Sequence, residues 1–141
     1  MRSIYLIGSL RNPEVPKLAD TLRKAGHDVF DDWYAAGPEA DDYWRSYEKE
    51  KGHSYIEGLA GYAANHVFEY DHYHLNRCDT GILQLPAGRS GHLEFGYVVG
   101  ANKPGIILLD KDYDRWDVMY RFATKVVDNV PDLLLALEGL A

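Results

Sequence analysis

One carboxylate lies in a segment that is otherwise small, apolar or weakly polar. Residues 90–100 read SGHLEFGYVVG, and Glu94 is the only acidic residue among them. Three nearby glycines, Gly88, Gly91 and Gly96, leave space for a ligand or another stretch of backbone to approach. An ionised carboxylate that faces open space can act as a nucleophile at a sugar carbon. The alternative interpretation is a surface glutamate that stabilises the first turn of its own helix through the helix dipole.

Asp71 is the second candidate for chemistry. It lies near the end of a helical stretch, in the run VFEYDHYHLNRCD, where aromatic residues surround it in sequence. Burial disfavours the charged form of a carboxyl and so raises its pKa. A carboxyl that keeps its proton near neutral pH can protonate a departing base. The alternative interpretation is a solvated acid at the end of a helix.

Hydrophobic periodicity predicts the elements that would position these carboxylates. Short apolar runs predict strands at 3–8, 27–33, 80–86, 104–110 and 125–130. Helical spacing and turn residues predict helices at 12–26, 54–77, 90–101, 116–124 and 131–140, and a loop followed by a polar helix at 34–52. Alternating strands and helices predict an α/β fold: a single domain with a five-stranded parallel sheet flanked by helices, doubly wound in the Rossmann or flavodoxin-like manner.

Ligands bind such sheets beyond the carboxyl ends of the strands. That edge collects the candidate binding residues, which are Gly8, Ser9 and Arg11 after the first strand, Asp32 and Trp33 after the second, and Gly88, Arg89 and Ser90 after the third. Trp33 is the favoured residue for stacking on a nucleobase, with a place in the core as the alternative. Asp79 precedes its strand, so it is predicted to lie at the opposite edge as a structural cap.

Composition and charge exclude several classes of partner. The chain has 141 residues, 46% of them hydrophobic, and a formal net charge of −7. An acidic surface without a basic patch repels nucleic acid and anionic membranes, and no apolar run approaches the ~20 residues that span a bilayer. The single cysteine, Cys78, excludes a disulfide framework and favours a reduced, cytoplasmic location.

Motif analysis predicts no metal ion and no cofactor. The HLE sequence at 92–94 resembles the H-x-E of zinc deaminases, but that site requires a later P-C-x-x-C motif, which one cysteine cannot supply. His72 and His74 would diverge on a helix, which disfavours a metal site. The sequence has neither a phosphate-binding G-x-x-x-x-G-K loop nor a dinucleotide-binding G-x-G-x-x-G motif.

Five segments together resemble a known enzyme family. They are IYLIGSLRNP, DVFDDW, FEYD, SGHLEFGYVVGANKPGIILL and DVMYRF, in that order. Their order and spacing resemble the nucleoside 2-deoxyribosyltransferases and the related 2′-deoxynucleoside 5′-monophosphate N-glycosidases. The resemblance covers nearly the whole chain, so it implies one nucleoside deoxyribosyltransferase-like domain over residues 1–141.

The resemblance implies roles for three residues. Glu94 would be the nucleophile that attacks C1′ of a deoxyribose and forms a covalent glycosyl–enzyme. Asp71 would donate a proton to the leaving base, and Tyr5 would orient the nucleophile. A second base that attacks from the vacated side gives transfer with retained configuration, whereas water gives hydrolysis. A sugar without a 2′-hydroxyl readily forms an oxocarbenium-like state, which fits a site without metal or cofactor.

One departure from the family bears on the substrate. The transferases carry an Asn-x-Met segment that reaches into a neighbouring subunit's site to hold the 5′-hydroxyl, and here Asp117 and Met119 occupy those positions. An aspartate can accept a hydrogen bond from a 5′-hydroxyl, but it would repel a 5′-phosphate.

A second feature favours a phosphate. The GSLR sequence at 8–11 resembles the phosphate-side loop of the monophosphate hydrolases. Ser9, Arg11, Arg89 and Ser90 could therefore hold an anion together. The alternative for Arg89 is an ion pair with an acid on the surface.

The resemblance favours a nucleoside 2-deoxyribosyltransferase that moves deoxyribose from one nucleobase to another. The alternatives are a 2′-deoxynucleoside 5′-monophosphate N-glycosidase and a non-catalytic nucleotide-binding module. Its partners would be deoxynucleosides or deoxynucleotides, free nucleobases and a second copy of the chain, as a dimer or a multiple of dimers. The segment 34–52 is predicted to decide which base is accepted.

Overall fold

The computed structural model describes residues 1–111 and 114–140. One parallel sheet runs through the molecule, with the strand order β2-β1-β3-β4-β5. The strands are β1 Ser3–Ile7, β2 Asp28–Phe30, β3 Thr80–Gln84, β4 Gly105–Leu108 and β5 Lys125–Val127. This order is the flavodoxin-like one, and it confirms the predicted fold class. Residues 112, 113 and 141, which the predicted domain includes, lie outside the described residues.

Helices cover both faces of the sheet. They are α1 Glu14–Lys24, α2 Ala40–Glu50, α3 Tyr55–Leu59, α4 Tyr62–Arg77, α5 Arg89–Gly100 and α6 Val130–Glu138, with 3₁₀ helices at Asp32–Ala36 and Val118–Phe122. Residues of α1 and α6 form the core on one face, and residues of α4 and α5 form the core on the other. Within the described residues, no helix is both long and apolar enough to cross a membrane.

Strand alternation decides which β1 side chains can reach the site. Ile4 and Leu6 belong to the core beneath α1 and α6, whereas Tyr5 and Ile7 belong to the core beneath α4 and α5. Successive side chains of a strand point to opposite faces, so this division follows directly from the sequence. Tyr5 is therefore directed toward the two helices that carry the candidate carboxylates.

The switch point of the sheet lies between β1 and β3, where the chain reverses its direction of winding. Helix α5 starts close to this point because Gly91 has no side chain. A Cβ at Gly91 would lie 3.2 Å from Cγ2 of Ile7 and 3.3 Å from Cβ of Ala87. The missing Cβ allows the amino-terminal part of α5 to contact β1 closely.

The predicted helix at 54–77 is wrong in one respect, because it is divided into α3 and α4. Ser54 caps α3 and exchanges hydrogen bonds with Glu57 in a capping box. Gly58 lies against α2, where a Cβ would come within 3.2 Å of Cγ of Glu48. Gly61 then begins α4 in an extended conformation. A tight contact between helices, rather than helix propensity, therefore breaks the segment.

Other boundaries also differ from the predictions. The predicted strand at 27–33 is only three residues long, and a 3₁₀ helix that contains Trp33 follows it. The predicted helix at 116–124 is a 3₁₀ helix at Val118–Phe122. Asp79 lies at the amino edge of β3, as predicted, where its carboxylate accepts hydrogen bonds from the Ser3 N–H and from Thr80 Oγ1.

Candidate active site

A hydrogen bond between Tyr5 and Glu94 joins β1 to α5 beside the switch point. The Tyr5 hydroxyl donates to Oε2 of Glu94 at 2.8 Å. The Tyr5 side chain is almost fully buried, and Glu94 is half-buried. Because a buried strand holds the donor in place, the carboxylate has a fixed orientation in which Oε1 accepts no hydrogen bond from the described residues.

Glu94 lies in the second turn of α5, as the sixth residue of the helix. The helix begins at Arg89, and its amino cap is Gly88. The helix dipole acts mainly on the first turn, so it contributes less to this carboxylate than expected. The hydroxyl of Tyr5 is the specific group that stabilises the ionised form.

The pKa of Glu94 lies near neutrality. Burial raises it from 4.5, the Tyr5 hydrogen bond opposes that increase, and the charge of Asp71 adds to it, with a result of about 7. The pKa of Tyr5 is raised far above its usual value of 10 by burial and by the two carboxylates. Tyr5 therefore keeps its proton at any physiological pH and remains a hydrogen-bond donor.

Asp71 lies on the inward side of α4. Leu75, one helical turn later, is buried in the core that also contains Tyr5. Burial raises the pKa of Asp71 from 3.8 to about 6. Within the described residues, the carboxyl of Asp71 has no hydrogen-bonding partner, so only the backbone of α4 fixes its position.

Aromatic rings form the wall beside these groups. Phe30 of β2 lies 5.0 Å from the ring of Tyr5, measured between centroids, and stacks on His74 of α4 at 3.8 Å with an angle of 12°. Tyr70 contacts Phe30 edge-on at 5.7 Å. Burial, and the nearby charge of Arg77, lower the pKa of His74. This apolar stack joins α4 to β1 and β2.

The sequence analysis did not identify Phe30 or His74 as part of the site. One signal in the sequence pointed to His74, which follows Asp71 by three residues and so lies on the same side of a helix. Phe30 is identified only by the structure, in which it pairs with Tyr5 in the β1–β2 register. The structure thus brings Tyr5, Asp71 and Glu94 into one electrostatic cluster, while their chemical roles stay predictions.

The first candidate binding loop is tied to α2. The Ser9 hydroxyl accepts a hydrogen bond from the Arg11 N–H at 3.1 Å. The Arg11 guanidinium is exposed and lies 3.4 Å from Oδ2 of Asp42. A Cβ at Gly8 would lie 3.0 Å from Val15, so this position leaves little space for a side chain. To bind an anion, the Arg11 guanidinium must either move away from Asp42 or contact Asp42 and the anion at the same time.

Trp33 is anchored in the protein. Its indole N–H donates to the Leu6 carbonyl oxygen at 2.8 Å, and its ring contacts both hydrophobic cores. The core contact that the sequence allowed as an alternative is present, and base stacking by the accessible part of the half-buried ring stays a prediction. Asp32 is exposed beside it. Asp31, the preceding residue, forms an ion pair with Arg23 at 2.6 Å.

The start of α5 presents unpaired polar groups. Gly88, Arg89 and Ser90 are exposed, and neither side chain has a hydrogen bond or ion pair with any described residue. The surface ion pair considered for Arg89 is therefore not formed within the described part of the chain. His92, one turn later, has Nδ1 2.8 Å from the Gly88 carbonyl and Nε2 2.9 Å from the Tyr120 hydroxyl.

Asp117 and Met119 contact each other at the start of the second 3₁₀ helix. Oδ1 of Asp117 accepts the Met119 N–H at 2.9 Å and so caps the second 3₁₀ helix. Across residues 1–111 and 114–140, no hydrogen bond or ion pair connects either residue to Glu94 or Asp71. Nor does any group of three or more His, Cys, Asp or Glu residues in those ranges have a geometry that could hold a metal ion.

Comparison with known proteins adds a likeness in fold. No protein-family model matches the chain, and no curated protein matches it either. The structure is similar to that of the CMP N-glycosidase BcmB from Clostridium botulinum, with a TM-score of 0.58 and 14% sequence identity over 96% of this chain and 97% of that chain. At this identity the likeness shows the shared α/β fold with a five-stranded parallel sheet.

Replacing Tyr5 with phenylalanine tests the central contact. We expect Tyr5→Phe to raise the pKa of Glu94 above about 7, because the hydrogen bond that favours the carboxylate is lost. The measurement is an NMR titration of protein labelled with ¹³C at the glutamate carboxyls. Tyr70→Phe is the matched control, since it removes a hydroxyl from the same aromatic wall without touching Glu94. An unchanged or lower pKa in Tyr5→Phe would contradict the assignment.

Proposed function

We propose that the protein cleaves the N-glycosidic bond of a nucleotide-type substrate, with Glu94 as the nucleophile and Asp71 as the acid. The observation that carries this proposal is the Tyr5–Glu94 hydrogen bond beside the switch point, with the carboxyl of Asp71 in the same cluster. The fold shared with a protein described as a CMP N-glycosidase supports the same class of reaction.

The first step forms a covalent glycosyl–enzyme. Oε1 of Glu94, the oxygen not bonded to Tyr5, attacks C1′ of the sugar while the bond between C1′ and the base nitrogen breaks. Asp71 gives its proton to the departing base, so the base leaves without an additional negative charge. The hydroxyl of Tyr5 holds the other carboxylate oxygen and keeps the nucleophile aligned.

The second step releases the sugar. Asp71, now ionised, takes a proton from water, and the water oxygen attacks C1′ as the bond to Glu94 breaks. Two displacements at C1′ retain its configuration. If a second nucleobase occupies the vacated space, its nitrogen attacks instead and the product is a new nucleoside. The same three side chains therefore serve both hydrolysis and transfer.

Hydrolysis of a nucleotide and transfer between nucleobases remain separate candidates. The sequence resemblance placed transfer first, and Asp117 still favours a neutral 5′-hydroxyl over a phosphate. Hydrolysis gains support from the CMP N-glycosidase fold and from the unpaired Arg89 and Ser90 side chains at the start of α5. A helix amino terminus with an arginine beside it favours a bound phosphate. CMP carries a 2′-hydroxyl, so both ribose and deoxyribose substrates belong in the assay.

Self-association is part of the proposal. Four apolar side chains in the segment around Asp117 are 60–87% exposed, namely Trp116, Val118, Met119 and Phe122. Such clusters commonly mark protein interfaces. We propose that a second copy of the chain covers this segment and receives Asp117 and Met119 at its own site. Sedimentation equilibrium should give the mass of a dimer or a multiple of dimers, and the mass of one chain would contradict the proposal.

The activity assay separates the candidate functions. We expect base release from CMP or dCMP if the protein is a hydrolase, and new deoxyadenosine from deoxyinosine plus adenine if it is a transferase. Glu94→Ala should lower the rate by several orders of magnitude, roughly the loss seen when a covalent nucleophile is removed. Glu69→Ala, at an exposed carboxylate of α4, is the control that should keep normal activity.

The outcomes of that assay are distinct. Near-normal turnover by Glu94→Ala would exclude the proposed mechanism. Tight nucleotide binding without turnover by the unmodified protein would indicate a binding module. Liquid chromatography of the products distinguishes all of these results.

The rate should depend on pH as a bell-shaped curve. Turnover needs Glu94 ionised and Asp71 protonated. The pair of carboxyls must therefore carry a single proton, and that proton must be on Asp71. The pKa values of about 6 for Asp71 and about 7 for Glu94 belong to the free protein, so they put the maximum of kcat/KM between these two pH values. Since Glu94 has the higher pKa, the form with the proton on Asp71 is the minor one of the singly protonated pair. The value of kcat/KM should fall below this range as the pair gains a second proton, and above it as the pair loses its last one. A kcat/KM that keeps increasing above pH 8 would exclude Asp71 as the acid.

A further inference from the structure

We infer that Tyr97 is a positioning residue, whose hydroxyl links α5 to α4 and so sets the separation between the carboxyls of Glu94 and Asp71. This inference rests on the proposed function, since the separation between the two carboxyls matters to the reaction only if they act together in it. The structural link itself depends only on the contacts between the two helices.

Three hydrogen-bonding groups form the link. The Tyr97 hydroxyl donates to Oδ1 of Asn76 at 2.6 Å, and its oxygen lies 3.0 Å from Nε2 of His72. One histidine tautomer satisfies both short contacts: Nε2–H donates to the tyrosine oxygen while the tyrosine proton goes to Asn76. The His72 ring also stacks on Phe68, at 5.2 Å between centroids and an angle of 17°.

The link lies beside both carboxyl-bearing residues. Tyr97 follows Glu94 by three residues, which is about 4.5 Å along the helix axis and on a neighbouring part of its surface. His72 is adjacent to Asp71 in sequence. A hydrogen bond at this place therefore acts on the two helical turns that present the candidate acid and nucleophile.

A second contact fixes the end of α4 but not its middle. Nζ of Lys103, which follows α5, donates to the carbonyls of Leu75 at 3.0 Å and Asn76 at 2.8 Å. These bonds cap the last turn of α4. Asp71 makes no hydrogen bond to any described residue, so its distance from Glu94 depends on how α4 lies against α5. The Tyr97 link joins α5 to His72, the residue that follows Asp71 in sequence.

Loosening the link should lower the pKa of both carboxyls. The groups that act on Glu94 are the Tyr5 hydroxyl on β1 and Asp71 on α4, and Asp71 in turn is governed mainly by burial. His74 lies one turn from Asp71 and is held against Phe30. Greater separation weakens the repulsion, and entering water reduces the effect of burial, so both changes favour the ionised forms. The Tyr5 hydrogen bond comes from β1 and should persist.

The experiment removes the hydroxyl alone. Protein labelled with ¹³C at aspartate and glutamate carboxyls is titrated by NMR as the unmodified chain and as Tyr97→Phe. We expect the pKa of Glu94 to fall by about 0.4, the change that Coulomb's law gives for like charges about 5 Å apart that separate by about 1 Å at an effective dielectric constant of about 20. Tyr73→Phe is the control, since Tyr73 is exposed on α4 and its hydroxyl has no described partner.

A second variant distinguishes positioning from general loosening. Asn76→Ala removes the acceptor and should lower the pKa by a similar amount, and the double variant should add little to either single change. Circular dichroism checks that each variant is folded. The curve of kcat/KM against pH should shift to lower pH in parallel for Tyr97→Phe.

Two results would overturn the inference. The first is a Glu94 pKa in Tyr97→Phe equal to that of the Tyr73→Phe control, and the second is a pKa that rises. The NMR titration needs no turnover, so a protein that cleaves no nucleotide would refute the proposed function and leave this test intact. Conversely, an active enzyme with an unchanged pKa in Tyr97→Phe would refute only the role of Tyr97.

Discussion

The hydrogen bond from Tyr5 to Glu94 is the constraint on which the candidate site depends. A half-buried carboxylate would turn toward water or take up a proton if nothing held it. Tyr5 prevents the first outcome because its ring is locked in a central strand, and it limits the second because its hydroxyl favours the ionised form. The 2.8 Å contact thus fixes the direction of the carboxyl and favours its ionised form.

The topology of the sheet explains why this contact occurs where it does. The winding reverses between β1 and β3, the point at which sheets of this kind bind their ligands, and α5 is the next helix after β3. Gly91 allows that helix to approach β1, and the aromatic stack on Phe30 brings α4 to the same place. The opposite face, beneath α1 and α6, is a conventional apolar core. The face beneath α4 and α5 also has an apolar core, and it holds the candidate carboxyls in addition.

Much of this arrangement could be predicted from the sequence. Apolar runs located all five strands, and the alternation of strands with helices gave the doubly wound sheet, because parallel strands require crossovers. Glu94 and Asp71 could be named as candidates because acids in apolar or aromatic surroundings are unusual. Tyr5 and the catalytic roles of all three residues came only from the resemblance to a known enzyme family.

The remaining features depend on contacts between distant segments, which periodicity does not encode. The break between α3 and α4 follows from the fit of Gly58 against Glu48, and the engagement of Arg11 with Asp42 follows from the placement of α2. In each case, tertiary contact decided what local propensity left open.

The raised pKa of Glu94 also has a consequence for folding thermodynamics. A carboxyl with a pKa of about 7 in the native state and 4.5 in the unfolded chain binds its proton more tightly when folded. It favours the native state below pH 4.5, and that contribution disappears as pH rises through 7, a loss of roughly 3 kcal/mol. The carboxyl of Glu94 therefore lowers the free energy of unfolding at alkaline pH, compared with acidic pH. Selection for thermal stability alone would replace Glu94. If related proteins keep a glutamate at this position, the reason would be its function and not the stability of the fold.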